Sequence, residues 1–376
     1  MKNNKQTWKR FILAGAAAAV LISGVNIPDV QAKAVVNGFD LQAHRGGRDA
    51  RPENTLAAFA YAMNLGVSTL EMDMQLTKDG RLVISHNPKL ETHLAKDAHG
   101  NYVKDGQQPD MRTMTLGEIK AYDMGTMNPA AGDYYEGHGR TQLSVPGTQV
   151  PTLDEVFELA IAYGNKDIIF NIETKSYVDP VDPLNPSPKL FVKKVMEVVK
   201  KYHMENRVTI QSFDWKTLQE VRKIDKNITT VALTCEQESW GPDGVYRQVG
   251  KPGASPWLGG LDIDNFKGDY VKAAKAIEAD VVSPYWEELT PELVAEAHKL
   301  GMKVVPWTVN NEAAMETLLA MGVDGMISDK PEVLRNFLIK KGIKVPAPTP
   351  GMLYYTGTKM VDATTKTLAN GGDSAY

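Results

Sequence analysis

The sequence is nearly without cysteine. Only Cys235 carries a thiol among 376 residues, so no internal disulfide can form and zinc sites built from several thiolates are excluded. An excess of positive charge is also lacking: 42 Lys plus Arg stand against 46 Asp plus Glu, which argues against a basic-patch binder of nucleic acid or anionic membranes. There is no internal repeat, and the chain's apolar run from Phe11 to Val25 falls short of the roughly 20 residues that span a bilayer as a helix. What is present, 43% hydrophobic and 23% charged residues, is the composition of a folded globular protein and excludes disorder, collagen and coiled coil. The length suits two average domains or one large one, since α/β barrels use about 250 residues as a single unit.

The first segment reads as an address. Lys2, Lys5, Lys9 and Arg10 precede the apolar run, and Val30-Gln31-Ala32 offers compact residues where a signal peptidase reads. The expectation is a signal peptide over 1–32, cleaved after Ala32, with an uncleaved anchor as the alternative. No cysteine follows the run, so a lipoprotein is not indicated. Cleavage leaves 38 basic against 45 acidic residues, an acidic body exported to the periplasm or the medium with no stable membrane anchor. Without a disulfide, such a body depends on its core, or on a bound metal, for stability.

From Phe39 onward, short β-branched or apolar runs alternate with helical-period stretches. Candidate strands are 40–44, 69–74, 168–173, 208–212, 229–234, 281–284, 303–308 and 325–328. Helix patterns between them include Asn54–Leu65, Leu153–Tyr163, Pro188–Tyr202, Trp215–Ile224, Pro291–Leu300 and Glu312–Met321. Eight strands with helical crossovers predict an α/β fold of the TIM (β/α)8 class over 33–340, in which chemistry gathers at the C-terminal strand ends; a doubly wound open sheet is the alternative. Residues 87–150, polar and rich in turns, read as an insertion after the second strand's hairpin that caps one barrel end. The tail 341–376, with Pro346, Pro348 and Pro350 followed by a Thr/Gly/Ser-rich stretch, has no core pattern and is expected on the surface or disordered.

Three strand ends carry chemistry. Glu71-Met72-Asp73 puts two carboxylates on one face of a strand, because side chains alternate with period two. Asp79-Gly80 reads as a two-residue hairpin turn, whose register sets His86 directly opposite Asp73; a surface hairpin with its polar residues outward is the alternative. The first strand ends in His44-Arg45-Gly46-Gly47, where buried charge is costly unless it faces a cleft, glycines let a ligand approach the backbone, and the Arg fork suits phosphate oxygens. The third ends in Glu173-Thr174-Lys175, with Glu173 and Lys175 on one face, as an ordinary ion pair would also be. Glu71, Asp73 and Glu173 together form a hard oxygen site suited to Ca2+ or Mg2+. His44 and His86 beside such a cation can serve as base and acid, and Arg45 and Lys175 can hold an anion. The chemistry implied is cleavage of a phosphoryl ester.

The chain resembles the glycerophosphodiester phosphodiesterase family through His44-Arg45-Gly46, Pro52-Glu53-Asn54-Thr55, Glu71-x-Asp73, Thr77-Lys78-Asp79-Gly80, His86, Glu173-x-Lys175, Trp307-Thr308-Val309-Asn310 and Gly322-Val323-Asp324-Gly325 running into Ser328-Asp329-Lys330-Pro331. The resemblance covers most of 39–340. It implies a TIM barrel that hydrolyses glycerophosphodiesters, its small-molecule substrates, to sn-glycerol 3-phosphate and an alcohol with Ca2+ or Mg2+. Carried over, it makes His44 and His86 the acid–base pair, Glu71, Asp73 and Glu173 the metal ligands, and Arg45 and Lys175 the phosphate binders. Glu53 matches a residue near the site, Trp307 the aromatic that contacts glycerol, unless it is a core tryptophan, and Asn54 or Thr55 would cap the following helix. In that family the substrate's glycerol 2-hydroxyl attacks phosphorus to give a cyclic phosphate that water opens. Many members have Asp where this chain has Asn87. A phospholipase D-like lyase that releases the cyclic phosphate, and a non-catalytic envelope binding protein on the same fold, are the competing readings. His93, His99, His138, His203 and His298 have no partner motif and are read as surface residues.

Overall fold

Strand Thr69–Leu76 shows how the pattern becomes structure: Leu70, Met72 and Met74 point outward into the helix layer, Glu71, Asp73 and Gln75 point toward the barrel axis, and all eight residues are buried. Its partners repeat the scheme in a computed structural model that describes residues 33–34, 36, 38–178, 182–349, 353–356 and 359–362. The strands in chain order are β1 Asp40–Ala43, β2 Thr69–Leu76, β3 Leu82–Ile84, β4 Ile169–Thr174, β5 Val208–Ser212, β6 Thr229–Thr234, β7 Val281–Pro284, β8 Lys303–Val304 and β9 Gly325–Ser328. All except β3 run parallel, in the order β8-β7-β6-β5-β4-β2-β1-β9. Backbone bonds from Asp324 N to Val304 O (2.9 Å) and Ile327 N to Pro306 O (3.0 Å) draw β9 to β8 and close the ring. The protein is a TIM barrel of eight parallel strands.

The surrounding helices are α1 Leu56–Leu65, α3 Leu153–Ala162, α4 Pro188–Lys201, α5 Trp215–Ile224, α6 Tyr270–Ala276, α7 Pro291–Lys299, α8 Glu312–Met321 and α9 Pro331–Lys340; a single turn, α2 Leu116–Ile119, lies in the insertion. Seven of them start where the sequence supplies an oxygen cap: Thr55, Thr152, Ser187, Asp214, Asp269, Thr290 and Asn311 each accept from a backbone N–H of the first turn. Replacing such a cap by Ala costs about 1 kcal/mol. α4 buries Phe191, Val192, Val195, Met196 and Val199, one stripe at helical spacing, against the sheet.

The hairpin register differs from the expectation. Met74 pairs with Ile84, Gln75 with Val83 and Leu76 with Leu82, and the ladder continues from Ser85 N to Asp73 O (2.9 Å), so Ser85, not His86, lies opposite Asp73. The turn has three residues, Lys78-Asp79-Gly80, because the Thr77 hydroxyl bonds Asp79 (2.6 Å) and Gly80 takes φ +72° at the last position. With its whole length buried, β2 also rules out the surface hairpin.

The insertion folds over a small core of its own, with Leu90, Leu94, Met111, Ile119, Met124 and Met127 packed together. Residues 341–349 lie on the surface, tied to the barrel by Thr349 N to Met63 O (3.0 Å) and Arg335 to Pro346 O (2.9 Å). Beyond them β10 Leu353–Thr356 and β11 Lys359–Asp362 form an antiparallel hairpin. The expected signal peptide lies outside the described residues. Among those described, no helix is long and apolar enough to cross a membrane.

Candidate active site

The C-terminal ends of β1, β2, β4, β8 and β9, together with the loop after β3, deliver charged or aromatic side chains to one end of the barrel. Glu71, Asp73 and Glu173 are 1%, 1% and 7% exposed, and each offers a carboxylate oxygen within 4.8 Å of the others'. Asp73 and Glu173 are direct register partners on β2 and β4. Three buried carboxylates this close cannot all be ionised without a compensating cation. Burial and the charge of Asp73 push Glu71 well above its usual range; burial raises Glu173 to about 7 against the pull of Lys175. Burial acts on Asp73 in the same direction, but His86, Arg45 and Lys175 hold it far below the usual range.

Each acid is oriented by neighbours. Glu71 accepts from Arg45 N (2.8 Å) and Gln211 Nε2 (2.7 Å), and Asp73 Oδ2 accepts from Asn54 Nδ2 (2.9 Å). The other oxygen, Asp73 Oδ1, is buried with no hydrogen-bond donor and has Lys175 Nζ 3.9 Å away. An all-oxygen trio, with no thiolate or imidazole in the set, fits a hard divalent cation.

The two histidines stand on either side of this trio. His44 Nδ1 donates to Asp329 Oδ1 (2.5 Å), and its Nε2 lies 3.9 Å from Glu71. Asp329 also accepts from Arg48 Nε (2.6 Å) and Asn310 Nδ2 (2.7 Å); burial opposes its charge, but Arg48 and His44 keep it ionised, well below the usual range. Burial lowers the pKa of His44, so the ring is neutral with its Nε2 lone pair toward the cavity. His86 reaches the same cavity from the irregular chain after β3, with Nε2 3.1 Å from Lys175 Nζ and Nδ1 3.1 Å from Asn87 Oδ1. Burial, Arg45 and Lys175 hold its pKa well below the usual value. The neutral Asn87 is itself faced by the Glu91 carboxyl, which burial raises to about 7.

Arg45 adopts φ +50°, a left-handed conformation that costs a non-glycine residue about 1 kcal/mol or more. Its Nη1 donates to Glu53 Oε1 (2.7 Å) and its Nε sits 3.4 Å from Asp73. Lys175 Nζ pairs with Glu173 at 3.0 Å. Gly46 and Gly47, expected from the sequence to let a ligand approach the backbone, are required by packing instead: a Cβ on Gly46 would meet Ala58 of α1 at 2.7 Å and one on Gly47 would meet Pro331 at 2.9 Å. Their role is to let the β1 exit pack against α1 and the start of α9. Of the two candidate caps of α1, Thr55 performs that role, while Asn54, at φ +54°, turns to Asp73.

These groups line a cavity of about 310 Å3 that includes His44, Arg45, Glu71, His86, Glu173 and Lys175, with Trp307 and Tyr285 opposite, a size that suits a small ligand. Trp307 is half-buried, donates Nε1–H to Ser283 O (2.9 Å) and meets Phe213 edge to face, so it is a wall of the cavity and not a core residue. Glu53 sits behind Arg45, away from the cavity surface. A larger hollow of about 710 Å3, bordered by Arg112, Tyr177 and Asp182, contains none of the three acids or two histidines.

Sequence reasoning gave no role to Asp329 and Asn310, though both lie in the motifs that carry the family resemblance, and did not single out Arg48 or Gln211. The signal for Asp329 was available, since a carboxylate immediately after a buried strand is as anomalous as His44. It also misread two histidines of the insertion. His93 is 9% exposed, stacks on Tyr134 with centroids 3.8 Å apart and lies 3.9 Å from Glu53; His138 is partly buried against Asp49 (3.2 Å). The insertion packs onto the site loop and covers them.

Residues 44–333 match the glycerophosphoryl diester phosphodiesterase family. A glycerophosphodiester phosphodiesterase of Caldanaerobacter subterraneus subsp. tengcongensis is 35% identical over 301 residues, covering 80% of this chain and 97% of the relative. Among solved structures, a putative glycerophosphoryl diester phosphodiesterase from Silicibacter pomeroyi superposes with a TM-score of 0.69 at 30% identity, over 82% of this chain and 96% of that one. An Oleispira antarctica phosphodiesterase in complex with the product sn-glycerol-3-phosphate shares the fold, with a TM-score of 0.57 at 20% identity over 82% and 99%.

Proposed function

The chain belongs to the glycerophosphoryl diester phosphodiesterase family, and on that premise we propose that it is an exported enzyme hydrolysing glycerophosphodiesters to sn-glycerol 3-phosphate and an alcohol. Glu71, Asp73 and Glu173 would hold a divalent cation, Ca2+ or Mg2+. The observation that carries this reading is the buried trio of carboxylates with a neutral imidazole on either side and two fixed cationic groups at its edge.

When bound, the cation polarises a phosphoryl oxygen and lowers the pKa of a nearby hydroxyl. Arg45 and Lys175 face the remaining phosphate oxygens with charges that their own carboxylate partners keep in place. His44, its Nδ1–H committed to Asp329, has only Nε2 available and acts as base on the glycerol 2-hydroxyl. That oxygen attacks phosphorus while the bond to the departing alcohol breaks. His86, protonated as the phosphodiester anion binds, gives the leaving oxygen its proton. In the second step the roles reverse: His86 accepts a proton from water, water opens the cyclic phosphate, and His44 returns its proton to the 2-oxygen. Trp307 would cover the carbon face of the glycerol.

A panel of glycerophosphodiesters assayed with Ca2+ and with chelator tests the proposal. Expected is release of sn-glycerol 3-phosphate without a lasting cyclic ester, and loss of turnover on chelation. A cyclic phosphate that accumulates would instead indicate a lyase, and no release of alcohol from any member would refute catalysis altogether.

A further inference from the structure

We propose that Tyr134, supplied by the insertion, is a positioning residue that fixes Arg45 for phosphate by holding Glu53 from behind; the proposal rests on Arg45 being a phosphate ligand, as above. The Tyr134 hydroxyl donates to Glu53 Oε2, and Glu53 Oε1 accepts from Arg45 Nη1 (2.7 Å). The backbone of Arg45 is left-handed, at φ +50°, so regular secondary structure does not aim its side chain. Its Nε has no hydrogen-bond acceptor, and its other acidic neighbour, Asp73, belongs to the carboxylate trio. Glu53 is therefore the restraint available to orient the fork, and a carboxylate on a flexible stem orients nothing unless its second oxygen is also held.

Two further contacts fix Tyr134 itself. His93 stacks on its ring, and Arg48 Nη1, whose neighbouring nitrogens grip Asp329, lies 3.5 Å from its oxygen. The insertion is pinned to the loop carrying these residues by Gln142 Nε2 to Arg48 O (2.7 Å) and Leu143 N to Ala50 O (2.9 Å). The hydroxyl thus joins a segment over fifty residues beyond β2 to the group that meets phosphate, and docking of the insertion completes the anion site.

Tyr134→Phe keeps the ring and its stack and removes only the hydroxyl. Its dissociation constant for inorganic phosphate in the presence of Ca2+, read by calorimetry, should rise about tenfold, the size of one lost hydrogen bond to a charged group. KM for glycerophosphocholine should rise with it while kcat changes far less. Phosphate binding requires no turnover, so failure of the broader reading and failure of this one are separable. Thr141→Val, which loosens the same loop at Asp49 without touching Glu53, should leave both constants unchanged. In a Glu53→Gln background the Tyr134 substitution should add little. Unaltered phosphate affinity in Tyr134→Phe, full additivity with Glu53→Gln, or an equal loss in Thr141→Val would each overturn the proposal. If Tyr134→Phe did not fold, unaltered phosphate affinity in Glu53→Gln alone would overturn it.

Discussion

Across the mouth of one barrel, the arc from β1 through β4 presents His44, Arg45, Glu71, His86, Glu173 and Lys175, whereas the arc from β5 through β8 presents Phe213, Trp240, Tyr285 and Trp307. Both arcs line one cavity, yet they are held by different means. On the charged arc every group has a partner at hydrogen-bond distance: Arg45 with Glu53, Lys175 with Glu173, His44 with Asp329. A buried charge without one is unaffordable in a medium of low dielectric. On the aromatic arc shape suffices; Trp307 touches Phe213 and Tyr285 at centroid distances of 5.5 and 5.7 Å and spends its one donor on Ser283. The difference teaches that the first arc should fail through loss of single atoms, and the second gradually, through loss of area.

The largest effect expected is on the charged arc. His44→Ala or His86→Ala should lower kcat by about 10³-fold, the usual worth of a general acid or base, with circular dichroism unchanged because neither ring fills the core. Unfolding of both variants, or retained turnover, would break the contrast.

Next in size is Asp329→Asn, which leaves Arg48 and His44 short of their shared anion and should destabilise the fold by about 3 kcal/mol in urea melts at pH 7. The sign with pH follows from the depressed pKa of Asp329 in the folded state. Its charge contributes fully above the unfolded value of about 4 and loses that contribution as pH falls toward the folded value. The gap between wild type and Asp329→Asn should therefore narrow below pH about 4; a gap independent of pH would show that the carboxylate's charge is not what stabilises this arc.

The smallest is Trp307→Leu, expected to raise KM about tenfold through lost contact area with little change in kcat. A collapse of kcat instead would mean that the aromatic arc also orients the reacting groups, and the division between the arcs would have to be redrawn.

The charged arc was also the legible one. His44-Arg45 after β1, Glu71-x-Asp73 in β2 and Glu173-x-Lys175 leaving β4 are conspicuous because charge at the end of an apolar run needs a reason. Trp240 and Tyr285 gave no such signal, since an aromatic beside a strand reads equally well as core. Strand positions followed from period and composition. The hairpin register did not, because Asp79-Gly80 looks the same in a two-residue and a three-residue turn, and the Thr77–Asp79 bond that decides between them is a side-chain contact. His93 and Tyr134 lay in a segment without periodicity, and the loop they pack upon was far away in sequence.

By itself the sequence determined the eight strands, the caps of most helices, and which ionisable residues stand at strand ends, because period-two alternation and capping are interactions between residues a few positions apart. Only the tertiary structure decided that Asp329 holds His44 across 285 positions, that Gln211 aligns Glu71, and that the insertion backs Glu53. Those are meetings between segments brought together by closure of the barrel, and a polar group buried by that closure takes whichever partner the closed ring puts within hydrogen-bond reach.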